Sequence, residues 1–302
     1  MADPDVPPAP RSDFAFGLLV YALSGMVFFP LTRFLVNQTV NQDQLLHAFL
    51  VLFMAGVLLI YEKRVKLQPV WIMGAWSRWL LAGAYGLILV VLATGVTVLM
   101  IPAFCLAVAS AVIFVFGERV KRFTAALVGA FAVFQGFVVL LPVLDWPLRG
   151  IAAQLSGSAL HLIGRTIELR LYNATIEPAL VLVSEGQEFL VAPECNGFGV
   201  TLSCLLLSLL LVLYRRIALW KKLGTLLFAV AFGLFSNAVR IVVIVLLAPL
   251  VGQDNYFVMH EIVGTMTYYA ALIGIWYFIH RQRTTAPTKA AAPVESRAAT
   301  AP

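Results

Sequence analysis

The sequence predicts an all-α fold: a polytopic bundle of about eight membrane-spanning helices, with a small interfacial helix and a β-hairpin on its outer side. Three observations predict it. Of the 302 residues, 61% are apolar and 12% charged, which is roughly half the charged share of a soluble domain. The mean hydropathy of +0.93 agrees. The apolar residues also fall into recurring runs of about 20, the length that crosses a hydrocarbon layer of about 30 Å. Lipid offers backbone groups no partner, so such runs must be helices or closed barrel strands, and they are too long and too continuous for strands.

The runs lie at 14–36, 45–61, 79–98, 100–117, 123–141, 197–214, 223–249 and 260–280. Basic residues orient them, because Lys and Arg near span ends tend to stay cytoplasmic. With eight spans, every Lys and Arg except Arg33, Arg149, Arg165, Arg170 and Arg240 falls on one side. Removing one span would make the clusters alternate. The expected organisation is a cytoplasmic tail 1–13, spans 14–141, an outer segment 142–196, spans 197–280 and a cytoplasmic, disordered tail 281–302. The net charge of +6 is then a consequence of topology and implies no nucleic-acid partner. The start MADPDVPPAP lacks the basic region and cleavage site of a signal peptide, so the first span is expected to be retained.

Within the outer segment, Ile151, Leu155, Leu162 and Ile163 share roughly one helical face after Trp146 and Pro147, which suits an interfacial helix. Further on, the runs from Leu180 to Val183 and from Phe189 to Val191 flank Ser184-Glu185-Gly186-Gln187. That pattern predicts a hairpin turning at Gly186. Its second strand delivers Cys195 to the mouth of the sixth span.

Three cysteines are too few for a disulfide framework, and Cys105 and Cys204 sit inside apolar spans as small buried residues. Cys195 differs. It precedes Asn196, Gly197 and a helical run, so Cys195 or Asn196 occupies a cap region where the helix dipole favours a thiolate. Glu194 opposes that, and a thiolate here needs further positive charge. Arg240 is the charged residue of the seventh span, and an intramembrane arginine marks a functional site by default. At about 1.5 Å per residue it stands about 26 Å above the inner face. Asn237, three residues earlier on the same face, is placed to orient the guanidinium. His260 begins the eighth span at the same level.

Taken singly, each residue has a structural explanation: a small buried thiol, an arginine reaching for headgroups, a surface imidazole. Those explanations do not account for three reactive groups at one depth. An imidazole can take a thiol proton and return it to a leaving amine, and an arginine can stabilise an oxyanion, so the set fits acyl transfer through a thioester. His161 competes as the imidazole but lies on the interfacial helix, while His47 and His280 mark span ends. The chain has no HExxH, no Cys/His pair at ligand spacing and no glycine-rich phosphate loop, so neither a metal nor a cofactor is expected.

At these residues the chain resembles the exosortase and archaeosortase family of membrane transpeptidases. The resemblance rests on Pro193-Glu194-Cys195-Asn196-Gly197-Phe198, then Asn237-Ala238-Val239-Arg240-Ile241, then His260 followed by Gly264. It extends over about 140–280, including LPVLDWPL and Arg215-Arg216, while the first four spans share hydropathy alone. It implies Cys195 as nucleophile, Arg240 as transition-state stabiliser and His260 as acid and base. The family pattern has Ser after the cysteine where this chain has Asn196, which leaves the subfamily and its recognised motif open. Members cut a C-terminal sorting signal, made of a short motif, a transmembrane helix and a basic tail, and pass the acyl end to an amine or other acceptor. The implied setting is a prokaryotic inner or plasma membrane, with the site on the periplasmic or extracellular side. The implied partners are exported proteins bearing such signals, the lipid bilayer and an unidentified surface acceptor. Two other readings compete. A transporter or channel with Arg240 as an anion site requires more lumenal polarity than Thr94, Thr97, Ser110 and Gln135 supply. A non-catalytic envelope polysaccharide-export component predicts an unreactive Cys195.

Overall fold

The computed structural model describes residues 11–63, 67–173, 178–184, 186–191, 195–215, 217–252 and 255–281. The expectations for residues 1–10 and 282–302 of the two cytoplasmic tails, and for Glu185, Pro193, Glu194 and Arg216, fall outside them, while 11–13 begin α1 and Arg281 ends α8. In chain order the elements are α1 (Arg11–Asn41), α2 (Asp43–Lys63), α3 (Ala75–Thr94), α4 (Met100–Phe116), α5 (Lys121–Leu162), β1 (Ile167–Asn173), β2 (Pro178–Ser184), β3 (Gln187–Leu190), α6 (Phe198–Tyr214), α7 (Leu219–Val251) and α8 (Tyr256–Arg281). Short 3₁₀ turns lead into α4 and α5. Glycines at positive φ, Gly95 after α3 and Gly117 after α4, end those helices without a Cβ penalty.

Among the described residues seven helices are long and apolar enough to cross a membrane: α1 to α5, α7 and α8. The eighth expected span is α6, whose 17 residues reach about 26 Å against about 30 Å of hydrocarbon. Its surroundings explain its length. It packs against α2, α5, α7 and α8, and Leu202, Leu206 and Leu210 along it are fully buried. A helix enclosed by protein need not match the thickness of lipid.

The same helix centres the main core, with Leu45, Leu52 and Leu59 of α2, Phe134 of α5 and Ile275 of α8 around it. Large apolar side chains such as Leu92, Leu227 and Ile273 instead point outward, as lipid-facing positions require. Several polar side chains inside are paired between helices. Tyr21 Oη lies 2.7 Å from both Ser77 Oγ and Ser110 Oγ, linking α1, α3 and α4. Ser24 meets Tyr85, and Ser203 of α6 meets Tyr268 of α8. Such bonds in a membrane interior contribute about 0.6 kcal/mol each.

Two expectations about the segment after the fifth span change. No separate interfacial helix follows it, because α5 continues for 42 residues, about 63 Å, straight through Pro142 and Pro147. A proline removes one backbone bond, and packing of the extension outweighs that loss. The extension's buried face is made of small residues, Ala152, Ala153, Ser156 and Gly157, with Leu160. Ile151, Leu155, Leu162 and Ile163, the residues expected at the membrane interface, lie exposed away from that face. The small face lies against β1 and β2, whose sheet the extension supports.

That sheet is antiparallel in the order β1-β2-β3. The expected hairpin is its β2–β3 half, with Ser184 opposite Gln187 and Gly186 in the turn at φ 81°. β1 is the unexpected strand. Its alternation of Ile167, Leu169 and Leu171 with Glu168, Arg170 and Tyr172 is a strand period. Its polar side is tied down by an Arg170–Glu168 ion pair and by Tyr172 Oη donating to Glu188 Oε1 at 2.7 Å. Leu182 and Val191 join Ala152, Ala153, Leu160, Ile241 and Val245 in one buried cluster, which also contains Cys195.

Candidate active site

Cys195 sits on the turn between β3 and α6, and four interactions hold that turn. Asn196 Oδ1 accepts the Phe198 amide at 2.7 Å, while Asn196 Nδ2 donates to Asp145 Oδ1 of α5 at 2.6 Å. Asp145 in turn forms an ion pair with Arg149 one helical turn further on. Asn237 Nδ2 of α7 donates to the Cys195 carbonyl oxygen at 2.8 Å. The cap residue itself is Gly197, one place later than expected, at φ 78°. A Cβ there would stand 2.7 to 2.8 Å from the Asn237 side chain, so the turn has room for glycine alone. Asn237, expected beside Arg240, thus also ties α7 to the backbone of Cys195.

The three residues singled out by depth come together. Cys195 Sγ lies 3.4 Å from His260 Nε2, and Arg240 Nη2 lies 3.5 Å from the same nitrogen. These side chains come from the head of α6, the second half of α7 and the second turn of α8. Gly264, one turn past His260, permits the approach, since a Cβ there would stand 2.7 Å from Arg240 Nη2. His260 Nδ1 faces Glu261 Oε1 at 3.4 Å. With its proton on Nδ1, toward that carboxylate, the imidazole keeps the Nε2 lone pair for the thiol. Cys195 is 8% exposed, so its sulfur is shielded from bulk solvent yet borders a cavity.

That cavity encloses about 920 Å³ between the hairpin and the upper parts of α7 and α8. Its wall includes Cys195, His260, Phe189, Ile244, Val245 and Tyr256. A second space of about 330 Å³ lies across the trio, bordered by Gln44, Asn237, Arg240, Gly264 and Tyr268. Cys195 and His260 face the first, and Arg240 faces the second. Between the two linings stand a thiol, an imidazole and a guanidinium, groups that are chemically able to attack a carbonyl carbon and stabilise an oxyanion.

His161 is exposed on α5, and His280 stacks on Trp276. His47 bonds the Asp43 carbonyl through Nδ1 at 2.7 Å. None of these joins the trio. Asp145, Arg149 and Glu261 border the site, and the sequence reading assigns them no role there. The first two carried a signal, an i,i+4 opposite-charge pair in an otherwise apolar run. Glu261 carried none beyond adjacency to His260.

Comparison with known proteins places this geometry in context. A family model described as transmembrane exosortase matches residues 37–277. No curated protein and no solved structure matches the chain.

Proposed function

The chain belongs to the transmembrane exosortase family, and from that membership we propose that it is a cysteine transpeptidase cutting the C-terminal sorting signals of exported proteins. The observation that carries the proposal is the convergence of Cys195 Sγ and Arg240 Nη2 on one imidazole nitrogen at the edge of a large cavity.

The chemistry runs in two halves. The Cys195 thiol gives its proton to His260 Nε2 as sulfur attacks the scissile carbonyl carbon, and Arg240 donates hydrogen bonds to the oxyanion that forms. Collapse breaks the C–N bond, and His260 returns the proton to the departing amine, leaving a thioester on Cys195. In the second half an acceptor amine, or water, is deprotonated by His260 and attacks the thioester carbonyl, and the thiol is released. The space beside Arg240 gives that second nucleophile an approach distinct from the cavity holding the acyl chain. A substrate whose motif precedes a transmembrane helix presents its scissile bond at the membrane surface. By the distribution of Lys and Arg, that surface is the periplasmic or extracellular face of the inner or plasma membrane.

Replacing Cys195 by Ala tests the proposal directly. The expected result is that a co-expressed exported protein with such a signal stays full length, and that its acyl adduct with Cys195 in the wild type disappears. Continued processing by the Cys195→Ala chain removes the assignment.

A further inference from the structure

We infer that the substrate's recognition motif binds as an added β-strand on the free edge of β3, running parallel to it and ending with the scissile bond over Cys195. The inference rests on the transpeptidase reading above and names how that site holds its substrate.

The register decides which backbone groups point outward. Val191 N–H donates to Leu180 O at 2.9 Å, and Val181 pairs with Leu190. Narrow pairs alternate in an antiparallel ladder, so residues 187, 189 and 191 turn their amides toward β2. Glu188 and Leu190 therefore turn theirs away. Among the described residues β3 pairs with β2 alone, and the sheet ends there. The position of the cavity agrees. Its wall includes every residue from Gln187 to Val191, although alternate side chains of a strand point to opposite faces. A cavity bordered by both parities runs along the strand's edge.

An exposed strand edge is normally blunted or covered, because it templates pairing with any extended chain. Here the edge opens onto the space containing the nucleophile. An added strand obtains its affinity from main-chain hydrogen bonds and its specificity from alternate side chains. Ile244, Val245 and Ala248 of α7 and Tyr256 of α8 form the opposite wall and would receive one set of those side chains. At about 3.3 Å per residue, the edge from Gln187 to Val191 accommodates a motif of about four residues. Direction follows from connectivity. β3 leads toward Cys195, and a substrate that continues past the scissile bond into a membrane helix must run the same way.

The test traps the complex by disulfide formation in the full-length chain in membranes. The chain carries Cys195→Ala and Leu190→Cys; Leu190 is 60% exposed, so its replacement leaves the core intact. The probe is an exported protein that the wild-type chain shortens, with single cysteines placed at each residue of its motif. Cross-strand neighbours on one face have Cβ atoms about 5 Å apart, so an added strand cross-links at alternate positions, at least about fivefold more strongly than at those between. A period of three to four, equal cross-linking throughout, or none at all overturns the inference. Failure of the catalytic reading is seen separately, as shortening of the probe by the Cys195→Ala chain.

Discussion

Arg240 comes within 3.5 Å of the imidazole because Gly264 leaves the space its guanidinium fills. Gly264→Ala would put a Cβ 2.7 Å from Nη2, and since the arginine has a flexible stem the side chain shifts while the helices stay. The expected outcome is a loss of about a hundredfold in processing rate, the size seen when one oxyanion donor is lost, with thermal unfolding in detergent nearly unchanged. Equal losses of stability and rate would show instead that the glycine serves helix packing. Gly197 differs, because strain from φ 78° and the Asn237 side chain act on it together. The two glycines thus separate placement of the guanidinium from placement of the Cys195 thiol.

Among the elements, the extension of α5 supports the site from outside the Cys195, Arg240 and His260 trio. It provides Asp145, which fixes Asn196, and the small face on which the sheet rests. Asp145→Ala leaves the largely buried Arg149 guanidinium without its carboxylate, a change that costs about 3 kcal/mol for a buried pair. It also releases Asn196. Thermal unfolding should fall, and alkylation of Cys195 by iodoacetamide should change as the turn loosens. Replacing Asp145 and Arg149 together by Leu is expected to restore most of the stability but leave the turn loose. Restoration of both would mean that Asn196 does not depend on this pair.

For the molecule as a whole, the site's depth is a statement about topology. Cys195 and His260 share one end of the bundle, and the placement of the basic clusters predicts that this end is the outer one. A membrane-impermeant thiol reagent is expected to modify Cys195 in intact cells stripped of their outer layers. Cys105 and Cys204, buried among helices, stay unmodified. Modification only from the cytoplasmic side would overturn both the topology and the sorting reaction. In the first five helices, three of the polar residues that a transport path would need are engaged elsewhere. Ser110 bonds Tyr21 and Ser77, Gln135 Nε2 of α5 donates to Cys105 at 3.4 Å, and Thr94 bonds the Val90 carbonyl.

Much of this architecture was legible in the chain itself. Runs of apolar residues give helix count and placement because lipid forbids unpaired backbone, a rule that acts locally on sequence. Cys195, Arg240 and His260 were legible because an ionisable group at membrane depth has few structural reasons to be there. The β2–β3 hairpin was marked by Gly186, whose φ of 81° suits glycine. The continuity of α5 through two prolines, the third strand β1 and the Asp145–Asn196 contact were not, since each depends on residues far apart in sequence. The same holds for Asn237, which from its helical position faces Arg240 but bonds the carbonyl of Cys195. Sequence by itself determined the membrane class, the spans and the residues of the trio, through solvation. Only the tertiary structure decided which groups hold them and which edge lies open beside the thiol, because hydrogen bonds and cavities form between elements and have no local signature.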